Sequence, residues 1–118
     1  ELHRAGIPML MASDSPQVFN VPGFSIHHEI ALMSEAGMSN LEILKTGSIV
    51  PAQYMGTESS WGQVKEGFDA DFVLVENNPL LDLKTLQKPV GVVIRGKWIG
   101  REELQSQLDR IEKNHLRN

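Results

Sequence analysis

The sequence has no cysteine. That excludes a disulfide framework, a thiolate zinc site and a cysteine nucleophile. It has no run of about 18 apolar residues, the length a membrane-spanning helix needs, so no membrane span is expected. Its 11 Lys and Arg are outnumbered by 15 Asp and Glu, giving a net charge of −4 with no basic stripe, which argues against nucleic acid as a partner. Internal repeats and low-complexity segments are also missing. What is present is a globular composition: 41% hydrophobic residues together with 10 glycines reach the usual apolar share of roughly 45–50%. At 118 residues the length is that of one small domain, which buries only about 65% of its unfolded surface and has little core to spare.

The first residues, Glu1-Leu2-His3-Arg4-Ala5-Gly6, read as a helix end with Gly6 as a left-handed cap. With Glu rather than Met at position 1, we expect a helix that began upstream, and so a C-terminal fragment. Location depends on that upstream sequence; the lack of cysteine is compatible with cytosol and periplasm, and a cytoplasmic location is favoured. Ile7–Ala12 is a short apolar run, bounded by turn residues, of the kind found in strands buried on both faces of a parallel sheet. Pro8 is tolerated at its start, and Ser13-Asp14-Ser15-Pro16 ends it. Residues 16–23 form a loop closed by Pro22-Gly23. From Ser25 to Ala36, Ile26, Ile30 and Met33 follow the helical period, and Gly37 stops the helix. Ser39 and Glu42 then form a capping box for a helix carrying Leu41, Leu44 and the stem of Lys45, and Ser48–Met55 adds another turn or two before Gly56.

The pattern changes after Gly56. Asp71–Val75, Val90–Arg95 and Lys97–Ile99 read as strands, the last two joined by a tight turn at Arg95-Gly96-Lys97. Residues 80–88 connect the first to the second, with a helical turn around Asp82–Leu86. A final helix spans Arg101–Asn114, with Leu104, Leu108 and Ile111 on one face and Glu102 and Glu103 in the first turn, where the dipole favours them. Neither half closes on itself: one parallel strand has no parallel neighbour, and three short strands make a marginal sheet.

Asp14 is the main candidate for chemistry. It stands just past the carboxyl end of an apolar strand, where barrel and open α/β folds gather functional groups, and a carboxylate there can bind a metal or move a proton. The plainer reading is a turn cap, since Asp-Ser-Pro is good turn chemistry. His27-His28-Glu29 has the wrong spacing for a shared ion, because adjacent helical residues point about 100° apart; no His-x-x-x-His or His-Glu-x-x-His occurs. One of the two histidines is expected to face a loop or the substrate mouth and the other solvent. His3 and His115 lie near the ends. Ser13 and Ser15 lack the G-x-S-x-G pattern, and Gly56, Gly62 and Gly67 make no G-x-G-x-x-G fingerprint.

Four ordered stretches together resemble one family. They are the apolar run ending in Ala12-Ser13-Asp14-Ser15-Pro16; His28-Glu29-Ile30 with Glu35-Ala36-Gly37-Met38-Ser39 and Glu42-Ile43-Leu44; Pro51-Ala52, Gly62-Gln63-Val64 and Glu66-Gly67-Phe68-Asp69-Ala70-Asp71-Phe72-Val73-Leu74; and Asn78-Pro79-Leu80 with Val92-Val93-Ile94-Arg95-Gly96-Lys97-Trp98-Ile99. In this order they resemble the C-terminal portion of a metal-dependent amidohydrolase of the imidazolonepropionase-like group. The resemblance implies an α/β fold: the last strand and following helices of a (β/α)8 barrel (residues 1–56), part of a small β-sandwich (57–100) and a closing C-terminal helix (101–118). It implies that Asp14 is a metal ligand that takes a proton from the attacking water and delivers it to the leaving nitrogen. The implied cofactor is a divalent metal, zinc first among them.

The departures from the family are as informative. A barrel needs roughly 250 residues. The family's His-x-His pair, bridging lysine and two later histidines are absent, and one carboxylate does not make a catalytic zinc site, which typically has three protein ligands. We therefore expect a parent protein that hydrolyses non-peptide C–N bonds in a small-molecule substrate such as a cyclic amide, an N-acyl amino acid or a dipeptide, with deamination of a ring C–N bond as the next reading. The 118-residue chain alone is expected to be inactive, and to self-associate or to pack against the missing N-terminal part of its own chain. Two other readings remain open at this point: a non-catalytic binding or assembly module that retains the sandwich without the barrel, and an unrelated α+β domain with a closed core.

Overall fold

The computed structural model describes residues 2–115. Glu1 and residues 116–118, which the expected first helix end and the 101–118 helical segment include, lie outside the described residues. The elements run in order as a 3-10 turn at His3–Ala5, α1 (Ser25–Glu35), α2 (Asn40–Thr46), α3 (Ile49–Tyr54), β1 (Phe72–Leu74), a 3-10 turn at Leu83–Gln87, β2 (Gly91–Ile94), β3 (Lys97–Gly100) and α4 (Arg101–His115).

The helical part is shaped by local signals. Gly6 takes the left-handed cap, with φ 74°. The Ser39 capping box is complete: the Glu42 amide donates to Ser39 Oγ at 3.4 Å, and the Ser39 amide donates to Glu42 Oε2 at 2.8 Å, pairing two otherwise orphaned donors. Pro51 sits in the first turn of α3, where its missing N–H costs nothing. Ile30 and Met33 of α1, Met38, Ile43 of α2 and Leu83 form the core, with Met9, Met11, Leu44 and Leu86 packed against it. Ile43 is completely buried, whereas Leu41 is half-exposed, so the inward face of α2 runs through Ile43 and Thr46 rather than Leu41. The buried Thr46 hydroxyl is satisfied by donating to the Ile43 carbonyl at 2.6 Å.

The expected strand at Ile7–Ala12 joins no ladder among the described residues. A strand needs neighbours on its edges to satisfy its backbone, and here the Met11 amide donating to the Thr46 carbonyl at 3.0 Å is its link to α2. Nor is it covered on both faces. Met9 and Met11 turn onto the core, while Ile7, Leu10 and Ala12 are exposed, the alternation of an arm lying on one surface.

The second half is one antiparallel sheet of order β1-β2-β3. Phe72 pairs with Val93 and Val93 with Trp98; Val73 pairs with Val92 and Val92 with Ile99. Cross-strand partners share a face, so both faces are apolar. The β2–β3 hairpin turns through Arg95 and Gly96, both at positive φ (51° and 76°), the two-residue turn whose twist suits paired strands. The Arg95 amide donates to Asp71 Oδ1 and the Gly96 amide to the Ala70 carbonyl, which fastens the hairpin to the entry of β1. Gly91 is required where it stands: a Cβ there would lie 2.4 Å from the Trp98 ring.

The fold is therefore mixed α/β with a three-stranded antiparallel sheet, and it is open. Its accessible surface is 9213 Å², well above the roughly 6,400 Å² of a folded monomer of this mass. The radius of gyration is 15.8 Å, against about 13.5 Å for a compact domain of this length. α4 has Leu104 partly covered, but Leu108 and Ile111 are exposed. No helix among the described residues is long and apolar enough to cross a membrane.

Candidate functional site

Asp14 lies at the free end of the arm, exposed to solvent. Its backbone is left-handed, with φ 53°, a conformation that Asp tolerates better than most residues. The arm is anchored behind it by Met9 and Met11, and Ser13 Oγ donates to Ser15 Oγ at 3.0 Å beside it. Gln17 Nε2 donates to Asp14 Oδ2. Asp14 Oδ1 has no hydrogen bond among the described residues. The loop beyond is tied to itself: the Asn20 amide donates to the Gln17 carbonyl at 2.9 Å, and the Val21 amide donates to Ser25 Oγ at 2.8 Å at the start of α1.

The histidines sort as their spacing implies. His28 is exposed, and His27 is half-buried along an open cleft of about 370 Å³ between α1 and the Leu83–Gln87 turn, where Ser34, Glu35, Asn40, Asp82 and Lys84 also lie. His115 is exposed near the end of α4. His3 is not idle: its Nε2 stands 3.4 Å from Glu42 Oε1. The Glu42 carboxyl is held below its ordinary value chiefly by the hydrogen bonds from the Ser39 side chain and backbone, with smaller help from His3 and Lys45 and opposed by partial desolvation. Two of these contacts escape the sequence reading. His3 and Glu42 are too far apart in the chain for any spacing rule, whereas Gln17 stands three residues past Asp14 across a Pro turn, a spacing that can be inspected for a side-chain contact.

Residues 1–99 match the model of the amidohydrolase family. The chain belongs to the amidohydrolase family. It is similar to the ochratoxinase of Aspergillus niger, 31% identical over 91 residues that make up 75% of this chain and 18% of that protein. Among solved structures it is similar to one described as a candidate prolidase from Bifidobacterium longum, with a TM-score of 0.75, 29% identity, and coverage of 92% of this chain and 28% of that one. A Xaa-Pro dipeptidase with methionine bound in its active site shares the fold, at a TM-score of 0.59 and 24% identity over 64% of this chain and 18% of that one. The chain thus spans 28% of the candidate prolidase and 18% of both the dipeptidase and the ochratoxinase.

Amidohydrolases are generally metal-dependent. Asp14 fits the part of one ligand: its carboxylate is solvent-facing, with one oxygen held and the other open. A complete set is another matter. Among the described residues there is no group of three or more His, Cys, Asp or Glu that could hold a metal ion, and three protein ligands are typical of a catalytic zinc.

Proposed function

We propose that the parent protein is a hydrolase of C–N bonds in small amide substrates in which Asp14 supplies one carboxylate of the catalytic site. Membership of the amidohydrolase family, with the core-anchored arm presenting Asp14 to solvent, carries this reading. A bound divalent cation would lower the pKa of water towards about 7. The Asp14 carboxylate would accept the proton of the attacking water and return it to the leaving nitrogen, acting as general base and then general acid. The remaining ligands would come from parts of the parent protein outside these residues, so the 118-residue chain by itself would be inactive. Dipeptides and N-acyl amino acids are the substrates we put first, given the likeness to a candidate prolidase. A cyclic amide comes next, and zinc is the first metal to try.

The test is turnover of a panel of Xaa-Pro dipeptides, N-acetyl amino acids and a cyclic imide by the full-length protein and its Asp14→Asn variant. We expect the variant to lose about 10²–10⁴-fold in kcat with an unchanged circular dichroism spectrum. Near-normal turnover removes Asp14 from the mechanism. A second reading, a non-catalytic binding or assembly module, is favoured by the excess of accessible surface over a closed domain of this mass. Either way, the exposed apolar faces would be covered by a second copy or by the rest of the same chain. No turnover across the panel, together with a stable oligomer of the 118-residue chain, selects the module.

A further inference from the structure

We infer that Gln17 is a positioning residue for the Asp14 carboxylate, an inference that rests on the catalytic reading of Asp14 above. Gln17 Nε2 donates to Asp14 Oδ2 while Oδ1 has no hydrogen bond among the described residues, so the two oxygens are unequal. One is hydrogen-bonded and the other is open. The donor's backbone is held in place. Gln17 forms an isolated antiparallel bridge with Asn20, whose amide donates to the Gln17 carbonyl at 2.9 Å, and the intervening Phe19 is held at φ 66°. The carboxamide of this exposed residue therefore extends from a closed turn rather than from a free loop, and its hydrogen bond is what orients the carboxylate.

The donor is a side-chain amide, so the contact orients the carboxylate through a single hydrogen bond. Hydrogen-bond partners that orient a ligating carboxylate typically account for 10–100-fold in activity or metal affinity.

The experiment compares three variants of the full-length protein, each loaded with Zn²⁺ and each assayed with a substrate that the wild type turns over. Gln17→Met keeps the length and shape of the side chain but has no donor; Gln17→Lys restores an N–H donor; Asp14→Asn is the control for the parent reading. For Gln17→Met we expect kcat to fall about 10–100-fold with KM little changed, and Zn²⁺ to pass faster to a chromophoric chelator. Gln17→Lys should recover most of both losses. Wild-type kcat and wild-type Zn²⁺ retention in Gln17→Met overturn the inference, as does a Gln17→Lys variant no better than Gln17→Met. If Asp14→Asn is inactive while Gln17→Met is normal, only the role of Gln17 falls. If Asp14→Asn keeps full turnover, the reading of Asp14 falls and takes this inference with it.

Discussion

Between Ser25 and Tyr54, α1 and α2 close around Ile43, with Met33, Met38, Leu83 and the incoming arm filling the space. Between Phe72 and Gly100, three strands pair in full register, yet Phe72, Val73, Leu74, Ile94 and Trp98 all remain between 39% and 52% exposed. The first region has a buried core, although Leu32, Leu41 and Tyr54 on its outer side stay exposed. The second has satisfied only its backbone. Hydrogen bonding fixes which strands are neighbours, but burial against another layer is what makes a sheet stable in water. That layer is not supplied by the described residues.

The comparison is open to attack at several points. The largest loss is expected from Ile43→Ala, which empties the one large side chain that is completely enclosed; deletions of this kind cost about 2–5 kcal/mol, and urea denaturation followed by circular dichroism measures the loss. Gly91→Ala comes second. The added Cβ would meet the Trp98 ring at 2.4 Å and the Ile99 carbonyl at 2.7 Å, an overpacking worth about 1–3 kcal/mol. Its mark is faster hydrogen exchange at Val92 and Val93 with the helical amides unchanged. Ser39→Ala removes the cap of α2 and should cost about 1 kcal/mol, seen as a lower thermal midpoint.

Acid acts at the same cap. Because the Glu42 carboxyl titrates below its ordinary value in the fold, its contribution is present above the unfolded-state value near 4.5 and is lost as pH falls through the lower folded-state value. The protection factors of the α2 amides, corrected for the intrinsic exchange rate at each pH, should therefore fall on acidification below the value near 4.5, and Glu42→Gln should remove that dependence; persistence of the full acid effect in Glu42→Gln would count against this account. The smallest effect is reserved for the sheet. Leu74→Lys, at a position already 48% exposed, should change the stability of the 118-residue chain by no more than about 0.5 kcal/mol. A loss several times larger in the parent protein would identify the face that is covered there.

What was legible in the sequence follows the same divide. The capping box at Ser39, the stops at Gly6 and Gly37, the Arg95-Gly96 turn and the extents of α1 and α4 are written in adjacent residues and appear within a residue or two of expectation. At Ile7–Ala12 no ladder forms among the described residues, because an apolar run states only that cover is wanted, not that this stretch of chain supplies it. Leu41 was misjudged because its spacing to Leu44 fits a helical face as well as Ile43 and Thr46 do, and only tertiary packing decides between them. At the candidate site, Asp14 was visible through its place after the apolar run and through the family resemblance, which the amidohydrolase match over residues 1–99 bears out at the level of the family. Gln17 carries only its three-residue spacing from Asp14 as a signal, and that spacing becomes a contact only once its side chain is located.

The self-contained loop after Asp14 has a consequence for how such a protein can diversify. Its hydrogen bonds, from Gln17 to Asn20 and from Val21 to Ser25, start and finish within a dozen residues, and Val18 and Phe19 at its tip are 82% and 96% exposed. Nothing in the helical core leans on that tip. Evolution or a designer could therefore rewrite Val18 as freely as one changes the bit on a drill, while Phe19, at φ 66°, gives way most readily to residues that tolerate a left-handed backbone, and the shank stays as it was.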